Sequence, residues 1–390
     1  MLKLLKNLNI YNPEPVGIAD ILTAGEKIVA ISKNIKPPRD IDCDVFDCTG
    51  KIAIPGIIDA HVHIAGAGGE GGPATRTPEI QLSSLTEAGV TSVVGSLGTD
   101  GFTRNVESVL MKARALKSEG LSAWICTGSY QIPTTTITGD IGRDIALIDE
   151  VVGVGEIAIS DHRSSVPNRH ELIRTAEHAR VGGMLVGKAG IVNIHMGDAK
   201  NPFAPLYDAV KNSMLPLKQF LPTHCNRNRH IFTDAQIYGK KGFVDITSSS
   251  YEYFPDIEIK PSEAVKTLLE KGVPISNITM TSDSNGSLPD YDEDGNLRRL
   301  EMGKPASLLK EIKDMILSGI PPEQAFSTVT KNPADIFKLS GKGYLKKGFD
   351  ADINIFSKDW DLTDVFARGC RMMKEGVLLK KGTYEKQLIS

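Results

Sequence analysis

Between residues 54 and 280 the sequence runs through one cycle eight times: a short apolar run, then a longer stretch that is amphipathic or polar. The apolar runs fall at 54–58, 90–94, 123–126, 157–159, 191–194, 220–221, 244–246 and 278–280. Short continuous runs rich in Val and Ile suit strands buried on both faces, and such strands alternating with helices build parallel βα units. Residues 78–88 read as a helix stopped by Gly89, and residues 106–119 as an amphipathic helix stopped by Gly120, since glycine supplies the left-handed turn that ends a helix. Eight units predict an α/β fold of the TIM type, a (β/α)8 barrel, with strand 1 at 54–58.

The two ends of the chain read differently. Runs such as Lys27-Ile-Val-Ala-Ile31 and Ala351-Asp-Ile-Asn-Ile-Phe356 are strand-like, and turns such as Lys36-Pro-Pro-Arg-Asp40 lie between them. Residues 1–56 and 344–390 therefore predict a small β-sandwich built from both termini, with the barrel at 57–343 inserted between them. A length of 390 residues suits this division, because a barrel takes roughly 250. A net charge of −3 without a basic tract argues against nucleic acid or an anionic membrane as partner and leaves a small molecule. Five cysteines, odd in number and without a C-x-x-C, fit reduced thiols in a cytoplasmic protein, and no window approaches a membrane span.

Chemistry collects at the ends of the apolar runs. His61 and His63 close the first, and alternation along a strand puts both imidazoles on one face. Tyr130 follows the third run, Glu156 opens the fourth, His195 closes the fifth, His224 the sixth and Asp283 the eighth. Barrel strand ends converge, so four histidines and two carboxylates would meet there, a donor set suited to Zn²⁺ and too large for one tetrahedral ion. Two metals per chain are expected. In the loop after His63, Ala65-Gly-Ala-Gly-Gly-Glu-Gly-Gly72 contains a formal G-x-G-x-x-G, yet it runs into Pro73 rather than opening a helix, so it fails as a dinucleotide fingerprint. It reads instead as a flexible loop that delivers Glu70 to a substrate ammonium. Arg163 and Arg227 offer planar forks for carboxylates, Tyr130 a hydroxyl that can polarise a carbonyl, and Gly68, Thr99 and Ser287 smaller hydrogen bonds.

This pattern resembles the amidohydrolase superfamily, whose His-x-His strand, bridging ligand, two later histidines and closing aspartate match His61, His63, His195, His224 and Asp283. Within it the chain is similar to the bacterial isoaspartyl dipeptidases through Gly68-Gly-Glu-Gly-Gly-Pro73, Thr75-Arg-Thr-Pro78, Leu97-Gly-Thr-Asp100, Ser160-Asp-His-Arg163, His195-Met-Gly-Asp198, Asn226-Arg-Asn228 and Ser282-Asp-Ser-Asn-Gly-Ser287. The resemblance implies a metal-bearing barrel joined to a small β-sandwich, a homo-oligomer, and hydrolysis of β-aspartyl dipeptides by a metal-bound hydroxide. By the same resemblance His61, His63 and Asp283 hold one ion, His195 and His224 the other, and Asp283 carries the proton. Glu70 takes the substrate ammonium, and Arg163, Arg227 and Ser287 take the carboxylates.

One departure stands out. The family's bridging ligand is usually a carbamylated lysine, and the corresponding run here, Gly153-Val-Gly-Glu156-Ile-Ala-Ile-Ser160, has no lysine. Glu156 offers the same single negative charge but is about three chain atoms shorter, so the strand must move inward, and Gly155 permits a bulge that would do this. The same metals would also serve a cyclic-amide hydrolase or an N-acyl amino acid deacylase, and a chain without a working bridge would be a silent metal-binding protein. Those other amidohydrolase activities would be favoured if Glu70 and Arg227 lay remote from the metal pocket.

Overall fold

The computed structural model describes residues 1–292 and 294–386. Positions 387–390, the end of the expected terminal unit, lie outside the described residues. The chain opens with β1 (Leu2–Tyr11), β2 (Pro15–Ala24), β3 (Lys27–Ser32), β4 (Cys43–Asp47) and β5 (Ile52–Pro55). The barrel strands follow: β6 (Ile57–Val62), β7 (Val90–Gly95), β8 (Ser122–Thr127), β9 (Val151–Ile159), β10 (Ile191–Met196), β11 (Phe220–Thr223), β12 (Val244–Thr247) and β13 (Ile278–Thr281). Each is followed by a helix, in order α1 (Leu82–Glu87), α2 (Val106–Glu119), α3 (Ile141–Leu147), α4 (Arg169–Val186), α5 (Ala204–Lys211), α6 (Arg229–Tyr238), α7 (Pro261–Glu270) and α8 (Ser307–Leu317). A hairpin, β14 (Ser287–Tyr291) and β15 (Leu297–Met302), is inserted between β13 and α8. The chain then returns as β16 (Ile353–Phe356), β17 (Leu362–Ala367), β18 (Cys370–Lys374) and β19 (Val377–Leu378).

The TIM-type barrel is therefore present. β6 to β11 form one parallel sheet and β12 pairs with β13. Backbone bonds close the remaining seams: Cys225 N–H donates to Asp245 O at 3.1 Å, and on the other side His63 N–H donates to Ser284 O at 2.9 Å and Asp283 N–H to His61 O at 3.2 Å. Helix ends follow local chemistry. Asn105 caps α2 by accepting from Ser108 N–H, Gly120 closes it in the left-handed region, and Asn168 with Glu171 forms a capping box on α4.

Three sequence expectations shift. The run at 54–58 is two strands, because Gly56 N–H turns to Asp352 O in the terminal sheet while Ile57 N–H bonds Gly89 O beside the barrel. The helix expected over 78–88 begins at Leu82, since Ile80 N–H is taken by Ile64 O and Pro78 O accepts from Asn285. Glu156 does not open the fourth strand; β9 starts at Val151 and carries it well inside.

Both termini share one nine-stranded sheet, joined where β5 runs antiparallel to β16. The sheet forks at β1, whose first half pairs with β4 and second half with β5. Period-two alternation divides this sheet between two cores. Ile52, Ile54, Val365 and Ala367 join the barrel's apolar cluster, while Ala53, Ile353, Ile355 and Phe366 join a separate cluster with Leu5, Leu8 and Ile21. Lys342 pins the units polar-wise, its Nζ donating to Ser122 Oγ on β8 and pairing with Asp350 and Asp352. No helix among the described residues is long and apolar enough to cross a membrane.

Candidate metal centre

Asp59, His61 and His63 sit two residues apart along and just beyond β6, so all three project to the barrel interior. Across the barrel, β9 is bulged. Val192 pairs with Val154 and Ile194 with Ile157, so Gly155 and Glu156 together oppose the single residue Asn193. Gly155 has φ +139°, and a Cβ there would stand 2.5 Å from Asn193 O, which leaves glycine as the residue that fits. The bulge brings the short Glu156 side chain to the centre of the mouth. Its Oε2 is 3.0 Å from His195 Nδ1 and 3.4 Å from both His61 Nε2 and His224 Nε2, and its Oε1 is 3.5 Å from His63 Nε2.

His224 and Asp283 leave their strands in the left-handed backbone region, at φ 60° and 55°, a conformation costing roughly 1–2 kcal/mol for a residue with a Cβ. It turns them inward: Asp283 Oδ1 lies 3.1 Å from His63 Nε2 and 3.7 Å from His61 Nε2. With Nδ1 hydrogen-bonded to Thr247 Oγ1 at 2.8 Å, His224 turns Nε2 to the centre. His195 is held the other way round, its Nε2 3.2 Å from Asp161 Oδ2 and its Nδ1 turned to Glu156.

Donor atoms of His61, His63 and Glu156 lie within 4.8 Å of one another, as do those of Glu156, His195 and His224, so Glu156 is common to two triads. These five residues and Asp283 are buried, yet His61 Nδ1 and Nε2, His63 Nδ1 and Asp283 Oδ1 have no hydrogen-bond partner. Buried polar atoms are rarely left so, and imidazoles with carboxylates form the donor set of a divalent cation. The residues fit a metal. The electrostatics point the same way. Burial alone would raise the Glu156 carboxyl, but the surrounding His61 and His195 outweigh it and hold it well below its usual range. Burial alone would lower His61, and Glu156 beside it instead pushes it up to about 10, whereas burial leaves His224 down at about 3. A proton on His61 and a cation among these donors answer the same excess of buried negative charge.

The remaining sequence candidates gather on one side of this centre. Glu70 Oε1 accepts from Ser287 Oγ at 2.8 Å and Thr99 Oγ1 at 3.1 Å and lies 3.7 Å from Arg163 Nη1, while Glu70 Oε2 is buried without a partner. Arg163 donates to both oxygens of Asp161, and Arg163 Nη2 and Arg227 Nη1 each stand 3.1 Å from His195 Nε2. Tyr130 is buried with its hydroxyl 2.7 Å from His195 Nδ1, and burial raises its pKa well above the ordinary phenol value, which keeps its proton in place. Gly68 supplies shape: its φ of +75° and its bridge to Arg76 set the turn that carries Glu70. That loop is stitched rather than free, because Arg104 donates to Ala65 O and Ala67 O, and Thr77 Oγ1 donates to Asn285 O. A cavity of about 490 Å³ opens beside these groups, lined among others by Arg163, His224, Arg227 and Asp283.

Sequence reasoning passed over the supports. Asp161 and Thr247 orient His195 and His224, and Asp245 sits deeper in the barrel, accepting from Thr223, Thr279 and Thr281. Asp59 accepts from Ser282, and burial pushes its carboxyl up to about 7. Asp59 was readable, since it shares the two-residue period of His61 and His63. The others are brought in by strand neighbours distant in sequence.

Comparison with known proteins agrees with this geometry. A model of the amidohydrolase family matches residues 193–380. The structure of a beta-aspartyl dipeptidase from Fervidobacterium islandicum AW-1, in complex with a beta-Asp-Leu dipeptide, is 40% identical, covers 100% of this chain and 99% of its own, and superposes with a TM-score of 0.91. The dihydroorotase of Endomicrobium trichonymphae is 24% identical over 87% of this chain and 85% of its own. A dihydropyrimidinase structure from Brevibacillus agri NCHU1002, at 15% identity and TM-score 0.67 over 98% and 97% of the two chains, shares the fold. With the metal-competent barrel mouth on one side and 40% identity across the whole of both chains on the other, this chain belongs to the amidohydrolase family, on the branch that holds the Fervidobacterium beta-aspartyl dipeptidase.

Proposed function

We propose that the chain is a metallo-dipeptidase that hydrolyses the isopeptide bond of β-aspartyl dipeptides, with residues 57–343 as the catalytic unit and 1–56 with 344–390 as the terminal one. The observation that carries this reading is Glu70, a buried carboxylate with one oxygen held by Thr99 and Ser287 and the other unpartnered, on the arginine side of the metal centre. An unpartnered buried oxygen of this kind fits a substrate ammonium.

His61, His63 and Asp283 would hold one divalent ion and His195 with His224 a second, with Glu156 shared; zinc is the ion that this donor set suits best. When bound, such ions lower the pKa of water from 15.7 to about 7 and polarise a carbonyl. The protein does the rest. Asp283, whose burial would raise its carboxyl but which the imidazoles of His63, His224 and His61 around it lower, is an ionised base that takes the water proton and returns it to the leaving amine as the C–N bond breaks. Tyr130 keeps its proton and donates to the carbonyl oxygen as negative charge develops there, a contribution of about 3–4 kcal/mol for one such donor. Glu70, held by Ser287, binds the α-ammonium, and Arg227 with the free edge of Arg163 binds the carboxylates, the Ser287 proton being already given to Glu70. An isopeptide-linked aspartate carries ammonium and carboxylate together on one side of the scissile carbonyl, which matches this arrangement. A cyclic-amide hydrolase, the activity of the dihydroorotase relatives, has no ammonium for Glu70 to hold.

Purified protein should turn over β-Asp-Leu and leave α-Asp-Leu nearly untouched, measured by release of free leucine. Equal rates on the two isomers would remove the substrate assignment.

A further inference from the structure

The cavity beside the metal centre extends past Arg227 to a wall that the catalytic reading does not use. Phe254, Ile257 and Leu288 line it together with Ser250, Glu258 and Asp290. Three features make this a built pocket. Glu258 is buried, 9% exposed, and accepts from Ser250 Oγ at 2.6 Å. Its loop, between β12 and α7, is fixed from both sides: Ile257 N–H and Glu258 N–H donate to Phe254 O, and Ile259 N–H donates to Asn226 O beside Arg227. Asn226 Nδ2 in turn donates to Thr247 O and Ile259 O, which ties the loop to the segment that carries His224. The carboxylate thus faces the cavity from a position set by the same hydrogen bonds that place the metal-side residues.

Charge decides what such a pocket takes. Among the cations lining the cavity, Arg163 gives two donors to Asp161, and its free edge, like Arg227, is needed for a substrate carboxylate. Glu258 and Asp290 line the cavity with no Lys or Arg nitrogen within 4.0 Å among the described residues, although the Arg227 charge is felt at Glu258. Burial pushes the Glu258 carboxyl up to about 7, and the Ser250 bond and the Arg227 charge offset this only in part. The apolar wall matches an aliphatic stem, and the carboxylates beyond it match a cationic tip.

We infer that this pocket receives the side chain of the leaving residue and that Glu258 sets its specificity, selecting a leaving residue with a long aliphatic stem and a terminal ammonium, as in β-Asp-Lys. This rests on the β-aspartyl dipeptidase reading and adds its second half, the residue released. The ammonium pairs with Glu258 while the stem lies against Phe254, Ile257 and Leu288. An acidic leaving residue is repelled by the same group.

The test compares β-Asp-Lys with β-Asp-norleucine, which has nearly the same stem without the ammonium. For the native protein kcat/KM should favour the lysine dipeptide by about tenfold, and β-Asp-Glu should be the poorest of the three. Glu258→Gln, which keeps the shape and can keep the bond to Ser250, should bring the lysine-to-norleucine ratio close to one, with retained metal content showing that the site has formed. Turnover of β-Asp-norleucine equal to or better than β-Asp-Lys in the native protein would overturn the inference alone, as would an unchanged ratio in Glu258→Gln. No turnover of β-Asp-Leu or of either test dipeptide would overturn the dipeptidase reading and this inference with it.

Discussion

The terminal sheet and the barrel mouth both bury carboxylates, and they balance them in opposite ways. In the sheet, Asp364 is paired with Lys51 at 2.9 Å and with Arg371, and just before β16 Lys342 sits between the buried Asp352 and the half-buried Asp350. Every one of these acids meets a permanent cation from the chain itself. At the mouth, Glu156 and Asp283 meet imidazoles, whose charge depends on a proton or on what the ring nitrogens bind. The first arrangement closes on itself and serves stability; the second is left open to an added cation. A buried acid therefore says little about function until its partner is known.

Breaking the open arrangement should have the largest effect. Glu156→Ala removes the one residue common to both donor triads, so metal content should fall toward one ion per chain by elemental analysis, and turnover of β-Asp-Leu should fall by at least ~10²-fold. Two ions and full turnover in that variant would show that the bridge lies elsewhere. Breaking the closed arrangement should act on stability instead. Lys342→Met leaves Asp352 without its buried cation and should cost about 3–5 kcal/mol in denaturant unfolding, with kcat of the folded fraction unchanged. A loss of kcat there would couple the sheet to the mouth more tightly than the contacts indicate.

Smaller effects refine the contrast. Glu70→Gln should raise KM for β-Asp-Leu by roughly tenfold, the size of one charge-assisted contact, while metal content stays as it was. Metal loss would make Glu70 a ligand. The smallest expected effect is none: reloading of chelated protein with zinc should be insensitive to added bicarbonate, because Glu156 is a carboxylate without carbamylation. A bicarbonate requirement would point to a modified lysine that the donor cluster does not contain.

Much of this molecule is legible in the chain. Eight apolar runs with helices between them specify a barrel, because parallel strands buried on both faces have few other solutions. The two-residue period of His61 and His63 puts them on one face whatever the surroundings, and a glycine before Glu156 marks where the strand can bulge. Helix α2 spans Val106–Glu119 as its amphipathic pattern and Gly120 predict, since a glycine stop is local chemistry. What the residues could not decide is whatever depends on partners far along the chain. The change from terminal sheet to barrel at Gly56 is set by bonds to Asp352 and Gly89, and the late start of α1 by Ile64 and Asn285. Likewise, that Asp161 serves His195, that Thr247 holds His224 by Nδ1, and that Glu258 faces the cavity all follow from strands and loops brought together by barrel closure. Periodicity carries the direction of a side chain; only packing carries the identity of its neighbour, and in this protein neighbours determine whether a buried acid stabilises the fold or binds a metal.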